Sequence, residues 1–397
     1  MHYFSTNRRS PNATFREATL YGQPADKGLY FPSEIPRLEP DFVESLNERS
    51  NAEVAYGVIQ PFVGGEIPEG KLQEICSETV DFDFPLVEIS DRIFTLELFH
   101  GPTLAFKDVG ARFMSRCLRH FAQERSEKTI VVVATSGDTG GAVAAGFHNV
   151  EGVEVVILYP KGKVSKVQEL QLTTLGGNVS ALEVAGVFDD CQTLAKTALA
   201  DPEITSRVHL TSANSINIAR WLPQQFYYFY ALKQWPYGEP PVISVPSGNF
   251  GNIASGILAH ASGLPAKKFI AACNANDVVP QFLLMGEYRA KPSVETLSNA
   301  MDVGNPSNWV RVLEILGDKP EKICETLEAA SVTDETTTDT MREVYRQYGY
   351  TLDPHGAVGY RALADYLERS PNEKGIFIET AHPVKFASVE EILGTTP

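Results

Sequence analysis

The chain has 397 residues, of which 43% are hydrophobic and 21% are charged, so it can bury a sizeable core and is long enough for two or three domains. Its 50 acidic and 34 basic residues give a net charge of −16, which argues against a nucleic-acid or anionic-membrane partner. The sequence contains neither the apolar core of a signal peptide nor a run of about 18 apolar residues. We therefore expect a cytoplasmic protein without a membrane partner.

The cysteines and histidines do not form a metal or disulfide pattern. The cysteines are odd in number, scattered and never spaced C-x-x-C, so neither a disulfide framework nor a zinc site is indicated. We expect all of them to be buried packing residues: Cys76, Cys117, Cys191, Cys273 and Cys324. The histidines lack H-x-x-x-H or similar ligand spacing, so no metal site is predicted.

The first ninety residues are rich in proline and glycine turns and then contain two segments with apolar positions on one face, 41–49 and 51–63. Such spacing predicts two helices. We interpret residues 1–92 as a small N-terminal domain.

From Lys128 to Asn217 strands rich in Val and Ile alternate with helical segments, which predicts right-handed βαβ units and a buried parallel sheet. The predicted strands are 129–134, 153–159, 179–184 and 208–211. Three helices are predicted between them: one that begins at Ala142, one at 166–175 and one at 189–199. A long aromatic helix, 215–235, follows as a core or subunit-contact element. Residues 93–235 are thus predicted to form one α/β lobe.

Several prolines and a glycine between Pro236 and Pro241 mark a break, after which the alternation starts again. The second series has predicted strands at 242–245, 268–273 and 375–379, and helices at 253–261, 334–348 and 357–368. We assign 236–397 to a second α/β lobe. The fold class is therefore α/β, with two open parallel-sheet lobes and a cleft between them.

One lysine, Lys107, lies among turn formers and apolar residues in the stretch H-G-P-T-L-A-F-K-D. It follows a predicted strand, 93–99, and precedes a predicted helix, 109–123, and parallel sheets place functional residues at such junctions. Partial burial there would favour the neutral amine, which can attack an aldehyde. The alternative is an ordinary solvated surface charge.

A glycine-rich loop between an apolar strand and a helix is the second local signal. It consists of Ser247, Gly248, Asn249, Phe250, Gly251 and Asn252. Two glycines allow backbone amides to converge, and the helix N-terminus adds partial positive charge, so the loop could bind a phosphate. No lysine follows as in a nucleotide P-loop. The alternative is a tight turn without a ligand.

Three further segments could contribute to the same site. The loop from Thr135 to Gly141 could hold a small carboxylate at a helix start, although Asp138 could instead be only an N-cap. Lys161, Lys163 and Lys166 form a local cluster of positive charge, or simply a solvated face. Thr380 is a hydroxyl at the end of the last predicted strand, where it could also be a cap.

A lysine able to form a Schiff base and a separate phosphate loop together match the needs of pyridoxal phosphate. Six motifs in register over the whole chain then resemble the threonine synthase family of the bacterial and fungal type. They are H-G-P-T-x-A-F-K-D at 100–108, A-T-S-G-D-T-G at 134–140, N-S-I-N at 214–217 with Arg220 after it, P-S-G-N-F-G at 246–251, S-N-A-M-D-V at 298–303, and T-A-H-P-x-K-F at 380–386.

The resemblance implies a fold type II pyridoxal phosphate enzyme, of the tryptophan synthase β-like architecture. Such an enzyme converts O-phospho-L-homoserine and water into L-threonine and phosphate, by γ-elimination and β-addition of water. Lys107 would be the Schiff-base lysine and the acid/base at Cα and Cβ, the loop from Ser247 to Asn252 would hold the cofactor phosphate, and Thr380 would hydrogen-bond the pyridine nitrogen. A neutral hydroxyl does not force that nitrogen to stay protonated.

The resemblance also implies two substrate subsites. The substrate carboxylate is expected on Thr135, Ser136, Asp138 and Thr139, and the departing phosphate near Lys163, Ser165, Asn214, Ser215, Asn217 and Arg220. Many fold type II relatives have Asn where this chain has Asp138, and a carboxylate would repel the cofactor's phenolate oxygen, so Asp138 is not assigned to that oxygen. We expect a monomer or homodimer.

Two alternatives from other classes stay open. A serine/threonine dehydratase-like lyase shares the cofactor and fold but needs no second phosphate pocket, and the lysine cluster and N-S-I-N motif argue against it. A non-catalytic phosphate-binding protein would need only the glycine-rich loop.

Overall fold

The structure is a computed structural model that describes residues 1–122 and 128–397. Its strands are β1 Tyr3–Ser5, β2 Tyr30–Pro32, β3 Leu86–Ser90, β4 Ile93–Glu97, β5 Thr129–Ala134, β6 Val153–Pro160, β7 Val179–Val184, β8 His209–Ser212, β9 Val242–Pro246, β10 Lys268–Cys273, β11 Leu327–Ser331 and β12 Gly375–Glu379.

The helices are α1 Phe15–Tyr21, α2 Pro40–Glu44, α3 Asn51–Val63, α4 Glu69–Thr79, α5 Lys107–Ala122, α6 Asp138–Phe147, α7 Lys166–Thr173, α8 Phe188–Ala200, α9 Pro202–Thr205, α10 Ile218–Trp221, α11 Phe226–Gln234, α12 Gly251–Ala261, α13 Val278–Met285, α14 Trp309–Leu316, α15 Pro320–Thr326, α16 Asp334–Tyr348, α17 Pro354–Arg369 and α18 Ala387–Leu393. Short 3₁₀ turns lie at Leu46–Glu48, Leu222–Gln225, Asn299–Met301 and Pro383–Lys385.

The chain divides into two units that are interleaved along the sequence. The first comprises Met1–Pro36, Arg49–Phe82 and Gly101–Gln224, and the second comprises Arg37–Glu48, Asp83–His100 and Gln225–Pro397. The strand β4, which precedes the lysine motif, belongs to the second unit. The domain bounds 1–92, 93–235 and 236–397 stay a prediction.

The first unit contains a parallel sheet with the strand order β7-β6-β5-β8 and a small antiparallel pair, β1-β2. Its central strand β5 has the sequence T-I-V-V-V-A, and five of its six side chains are buried, all except Ile130. An apolar run without alternation is typical of a parallel strand covered by helices on both faces. The three adjacent strands β6, β5 and β8 therefore end at one edge, where their loops meet.

The N-terminal segment of the first unit is fixed by caps and by one aspartate. Capping boxes begin α1, with Thr14 and Glu17, and α3, with Ser50 and Glu53. Asp26 accepts hydrogen bonds from the Ser5 hydroxyl at 2.6 Å and from the amides of Arg9, Ser10 and Gly28 at 2.9, 2.9 and 3.0 Å. The carboxylate of Asp26 is thus hydrogen-bonded to three separate stretches of this segment, at residues 5, 9–10 and 28.

These hydrogen bonds predict an acid-sensitive contribution of Asp26 to stability. Burial alone would raise its pKa, but the hydrogen bonds lower the pKa from 3.8 to about 2. Because the folded-state pKa is lowered, the contribution is present above pH 3.8 and is lost as the pH falls through about 2. We expect Asp26→Asn to lower the free energy of unfolding by about 1 to 3 kcal/mol at pH 7, measured by urea denaturation, with a difference that shrinks toward pH 2.

Asp83→Asn, at an exposed position, is the matched control, and we expect it to leave stability nearly unchanged. A loss for Asp26→Asn that is the same at pH 7 and pH 3 would contradict the role of the charged carboxylate.

The second unit contains a six-stranded sheet with the order β11-β10-β9-β12-β4-β3. All pairs are parallel except β3 with β4. The strands β9 and β12 are fully buried and adjacent, and they end at Pro246 and Glu379. The loop after β9 and the residue after β12 consequently lie at the same edge of this sheet.

The structure corrects several details of the sequence predictions. The aromatic segment 215–235 is not one helix: α10 and α11 are separated by a 3₁₀ turn at Leu222–Gln225, because Pro223 has no amide hydrogen to continue the α-helical bonds. Likewise, segment 41–49 contains α2 followed by a 3₁₀ turn. Cys324 is exposed, so the expectation that all cysteines are buried is wrong for it and holds for the other four.

Helix α5 begins two residues earlier than predicted, at Lys107 itself, and its predicted end at Gln123 lies outside the described residues. Helix α6 begins at Asp138 rather than Ala142. Within residues 1–122 and 128–397, no helix combines the length and the apolar character that crossing a membrane requires.

Candidate active site

Lys107 is the first residue of α5, and the turn directly before it is held by hydrogen bonds. Asp108, which is buried, accepts hydrogen bonds from the Thr103 amide at 2.9 Å and the Thr103 hydroxyl at 2.5 Å. Leu104 has a left-handed φ of 58°, a costly conformation for a residue with a branched side chain. A Cβ at Gly101 would lie 2.5 Å from the Asp108 carboxylate. The motif therefore builds a rigid turn immediately before the lysine.

The Lys107 amine is largely withdrawn from solvent and faces a buried carboxylate. Its side chain is 19% exposed, and Nζ lies 3.8 Å from Oδ2 of Asp138, whose side chain is 3% exposed. Nζ also lies 5.1 Å from the centre of the Phe106 ring. The predicted partial desolvation of Lys107 is thus confirmed, and Asp138 is a charge partner of this lysine as well as the first residue of α6.

Gln168 on α7 completes this arrangement, and the sequence reasoning missed it. Its Nε2 donates to Oδ1 of Asp138 at 3.0 Å, while its Oε1 accepts from the Ser165 amide at 3.0 Å. Ser165 in turn caps α7, since its Oγ accepts from the Gln168 amide at 3.2 Å. The S-x-x-Q spacing of a capping box was the available signal for this pair, although it does not predict the contact with Asp138.

The loop before α6 is bonded internally. The Thr135 hydroxyl oxygen accepts from the amides of Gly137 at 2.9 Å and Gly140 at 2.8 Å, so these two amides are engaged within the loop. Gly137 has φ 137°, and the space where a Cβ would lie is filled by the Gln168 side chain. Ser136 and Thr139 are half-buried beside them. Four predicted carboxylate-binding residues are therefore together, at the end of β5.

The residues after β8 form a second cluster beside β5. Asn214 bridges to the end of β5, donating Nδ2 to the Ala134 carbonyl at 2.9 Å and accepting from its amide at 3.3 Å. Arg220 is 5% exposed and donates Nη1 to the Lys107 carbonyl at 3.1 Å. Ser215 is half-buried in the same loop. The structure thus brings Arg220 against the backbone of the lysine.

The side chain of Asn217 is fully engaged within the protein. It is fully buried and caps α10, since Oδ1 accepts from the Ala219 amide at 3.0 Å. Its Nδ2 donates to the carbonyls of Thr19 at 2.9 Å and Ser212 at 3.1 Å. These bonds favour a role in holding the loop rather than in contacting substrate. Lys163, by contrast, lies exposed in the loop between β6 and α7.

In the second unit, the loop from Ser247 to Phe250 follows β9 and leads into α12. Ser247 is engaged with the sheet, because its amide donates to the Ala272 carbonyl and its hydroxyl to the Val245 carbonyl, both at 2.8 Å. Phe250 has a left-handed φ of 60°, which turns the chain sharply into the helix. The amides of the first turn of α12 have no carbonyl partners within that helix, and they carry its partial positive charge.

Two observations within this loop fit an anionic, oxygen-rich group. A Cβ at Gly248 would lie 2.5 Å from the Cα of Met301, so only glycine fits against that backbone. The side chain of Asn252 is oriented by Tyr228, whose hydroxyl donates to Oδ1 at 2.7 Å, and its Nδ2 is a buried donor without an acceptor among the described residues. An unsatisfied buried donor is costly unless a ligand oxygen accepts from it.

Thr380 directly follows β12 and is 8% exposed. Because β12 pairs with β9 in parallel, Thr380 and the loop after β9 lie at the carboxyl edge of neighbouring strands. Ligands of open parallel sheets bind at this edge. The second unit therefore places the predicted phosphate loop and the predicted ring-nitrogen partner on one side of its sheet.

Comparison with known proteins gives the class first. Residues 85–378 match the family model described as pyridoxal-phosphate dependent enzyme, so the chain is a pyridoxal phosphate enzyme and its parallel sheets are those of fold type II. Residues 2–80 match a second model, described as threonine synthase N terminus.

Individual relatives give the particular family. The threonine synthase of Serratia marcescens is 46% identical over 99% of this chain and 91% of its own length. The crystal structure of threonine synthase from Escherichia coli is 45% identical with a TM-score of 0.93, over 100% of this chain and 92% of that one. The pyridoxal phosphate-bound threonine synthase of Brucella melitensis is 36% identical with a TM-score of 0.93 and the same coverage. The chain belongs to the threonine synthase family.

Pyridoxal phosphate fits the residues that are present. An aldehyde needs a partly desolvated amine, which Lys107 provides, and a phosphate dianion needs convergent amides and donors, which the loop before α12 and Asn252 Nδ2 provide. Each unit taken by itself therefore offers groups that suit one part of the cofactor, and the predicted cofactor residues, Lys107, the loop from Ser247 to Asn252, and Thr380, stay a prediction.

Proposed function

We propose that this protein is a pyridoxal phosphate-dependent lyase that converts O-phospho-L-homoserine and water into L-threonine and phosphate. Likeness to threonine synthases extends over the full chain, at 45 to 46% identity with two curated relatives. The single structural observation that carries the proposal is the Lys107 amine, at a helix start, largely buried and 3.8 Å from the Asp138 carboxylate. That arrangement suits a lysine that exchanges protons rather than a surface charge.

When bound, pyridoxal phosphate supplies an aldehyde that condenses with amines and a ring that withdraws electrons from the substrate carbons. Lys107 Nζ accepts and returns protons at substrate Cα and Cβ. Asp138 stabilises the ammonium form of Nζ after each proton is taken up, because the opposite charge lies close and both groups are shielded from water. Gln168 fixes the Asp138 carboxylate in place.

The remaining assignments concern binding. Loop residues Ser136 and Thr139 hold the substrate carboxylate at the start of α6, a helix of ten residues whose dipole favours an anion. Thr135 and Asn217 hold the loops, through the backbone bonds described above. Lys163, Ser165, Asn214, Ser215 and Arg220 surround the departing phosphate. Thr380 offers a neutral hydroxyl to the ring nitrogen.

The phosphate subsite predicts an effect on KM. Removing one charge-assisted contact to phosphate costs about 1.5 to 3 kcal/mol, so Lys163→Ala should raise KM for O-phospho-L-homoserine by roughly 10-fold to 150-fold with a smaller change in kcat. Arg220→Lys, which keeps the buried charge but loses the planar guanidinium, should act in the same direction.

Steady-state kinetics of phosphate release measures this change. The matched control is Lys128→Ala, which removes an exposed lysine paired with Glu154 in the same unit and should leave KM unchanged. If KM stays at the wild-type value in both test variants, the phosphate subsite lies elsewhere.

The reaction itself is tested by product analysis. We expect purified protein with pyridoxal phosphate to release phosphate from O-phospho-L-homoserine and to form an equal amount of L-threonine. Formation of 2-oxobutanoate from L-threonine, with no phosphate release, would support the dehydratase-like alternative instead. Protein that takes up no pyridoxal phosphate would support a non-catalytic phosphate-binding protein. The monomeric or homodimeric state and the cytoplasmic location stay predictions.

A further inference from the structure

A single segment, 298–311, packs against the glycine-rich loop of the second unit at successive positions, and we call it the brace. It contains the 3₁₀ turn Asn299–Met301 and the start of α14. Gly248 meets the Met301 backbone so closely that a Cβ would approach the Met301 Cα to 2.5 Å. The first glycine of the loop is therefore pressed directly onto the brace.

Asn249 is bonded to the brace through both its side chain and its backbone. Its Oδ1 accepts from the Ser307 amide at 2.6 Å, and its carbonyl accepts from the Asn308 amide at 3.3 Å and from Nδ2 of Asn308 at 3.0 Å. These three bonds fix the orientation of the Asn249 peptide. The peptides that follow lead directly into the first turn of α12, so their orientation depends on the Asn249 peptide.

Arg311 holds the residue that makes two of these bonds. Its Nη1 donates to Oδ1 of Asn308 at 2.8 Å, and both side chains are fully buried. Burial lowers the pKa of Arg311 to about 9, which leaves the guanidinium charged at pH 7. On the same helix, Trp309 packs edge-on against Phe250, with ring centres 5.5 Å apart. The buried guanidinium of Arg311 is thus linked to the glycine-rich loop by hydrogen bonds through Asn308.

We propose that Arg311 is a positioning residue for the cofactor phosphate, acting through Asn308 and Asn249 to hold the glycine-rich loop in its phosphate-binding shape. This inference rests on the proposed function, because it requires that the loop binds the phosphate of pyridoxal phosphate. A buried charge is costly and is retained where it has a task. Here the task is indicated by the continuous hydrogen bonds from Arg311 through Asn308 to the Asn249 carbonyl.

The proposal predicts an effect that depends on the phosphate group of the ligand. Pyridoxal has the same ring and aldehyde as pyridoxal phosphate but lacks the phosphate. Arg311→Met should raise the Kd for pyridoxal phosphate about tenfold or more, which corresponds to at least about 1.4 kcal/mol, and should change the Kd for pyridoxal by less than about twofold. Arg311→Lys, which keeps the charge with fewer donors, should fall between wild type and Arg311→Met.

The measurement is a spectroscopic titration of cofactor-free full-length protein with each compound. Asn308→Ala tests the same connection without removing the buried charge, and it decides the question if Arg311→Met does not fold. Val310→Ala is the matched control, since this side chain lies on the same helix and is 38% exposed. It should leave both Kd values unchanged.

The outcomes separate the inference from the function on which it rests. Loss of preference for pyridoxal phosphate over pyridoxal in Arg311→Met or Asn308→Ala supports the positioning role. Equal weakening of both compounds shows only a structural role and overturns the inference. Wild-type preference retained in both variants overturns it as well, while leaving the proposed function intact. A wild-type protein that binds pyridoxal as tightly as pyridoxal phosphate overturns both the loop assignment and the inference.

Discussion

Replacing Lys107 by alanine is expected to lower kcat for threonine formation by at least about 10⁴-fold, because the substitution removes both a nucleophile and a proton carrier. No described lysine other than Lys107 lies in the predicted turn, and its amine is held by a fixed geometry. The Thr103–Asp108 bonds shape the turn, and Asp138 lies 3.8 Å from Nζ. A soluble amine can restore proton transfer only weakly, since it lacks this positioning.

Borohydride reduction followed by peptide mass analysis tests the assignment independently of activity. With pyridoxal phosphate present, the wild-type protein should be labelled at Lys107, and Lys107→Ala should carry no stoichiometric label. Lys196→Ala is the matched control, because this lysine lies on α8 of the same unit with its amine 3.4 Å from Gln192. It should retain both turnover and label. Stoichiometric labelling of another lysine in Lys107→Ala would refute the assignment.

Most of the strands with correctly predicted bounds are largely buried. Segments 129–134, 268–273 and 375–379 have the bounds that the apolar runs indicate, since a buried parallel strand needs no alternation and ends where polarity returns. The edge strand 179–184 also has its predicted bounds, although most of its side chains are not buried. Helix starts were less predictable. Helix α6 begins four residues before its apolar face, at Asp138, because the loop glycines let the chain turn early. Pro223 interrupts the aromatic segment for a local reason that apolar spacing does not reveal.

Site residues were predictable from sequence where a local motif indicates their role. They were less predictable where the role depends on a contact between residues far apart in the sequence. Lys107 and the glycine loop have local patterns that indicate their roles. Gln168 has none beyond its capping box, and its bond to Asp138 joins residues thirty positions apart. Arg311 is similar, since nothing in its neighbourhood indicates a link to Asn249. Asn217 is the converse case: the resemblance implies a contact with the departing phosphate, which stays a prediction, while a hydrogen bond makes this residue the N-cap of α10.

A buried acid pair beside Thr380 leads to the second large expected effect. Glu379 ends β12 and Asp353 caps α17, and both are fully buried. Asp353 Oδ1 accepts from the His355 amide at 2.7 Å and from its Nδ1 at 2.6 Å. As ionised groups, Asp353 Oδ2 and both Glu379 oxygens would have no donor among the described residues. A proton on Glu379 supplies that donor.

The directions of the two pKa shifts also place the proton on Glu379 rather than on Asp353. Burial, followed by the nearby charges of Asp353 and Glu97, raises the pKa of Glu379 well above its usual value. Burial would also raise the pKa of Asp353, but its contacts with His355 and the hydrogen bond from Glu379 lower it. His355 is itself fixed on its other side, where Nε2 lies 3.2 Å from the Ala300 amide. Asp353 is then the charged member of the pair and Glu379 the neutral one.

A raised folded-state pKa makes stability fall with increasing pH. Below about 4.5, both the folded and unfolded proteins hold the Glu379 proton, and the contribution is fully present. Above that value the unfolded chain releases it and the folded protein does not, so the free energy of unfolding declines by about 1.4 kcal/mol per pH unit until the folded-state pKa is reached. Glu379→Gln keeps a neutral donor of the same shape and escapes this loss.

We therefore expect the stability of Glu379→Gln relative to wild type to increase as the pH rises from 5 to 7, by at most about 1.4 kcal/mol per pH unit, measured by urea denaturation at each pH. Glu391→Gln, at an exposed position near the C-terminal end of the sequence, is the control and should show no such trend. A relative stability that does not change with pH would mean that Glu379 is ionised in the folded protein.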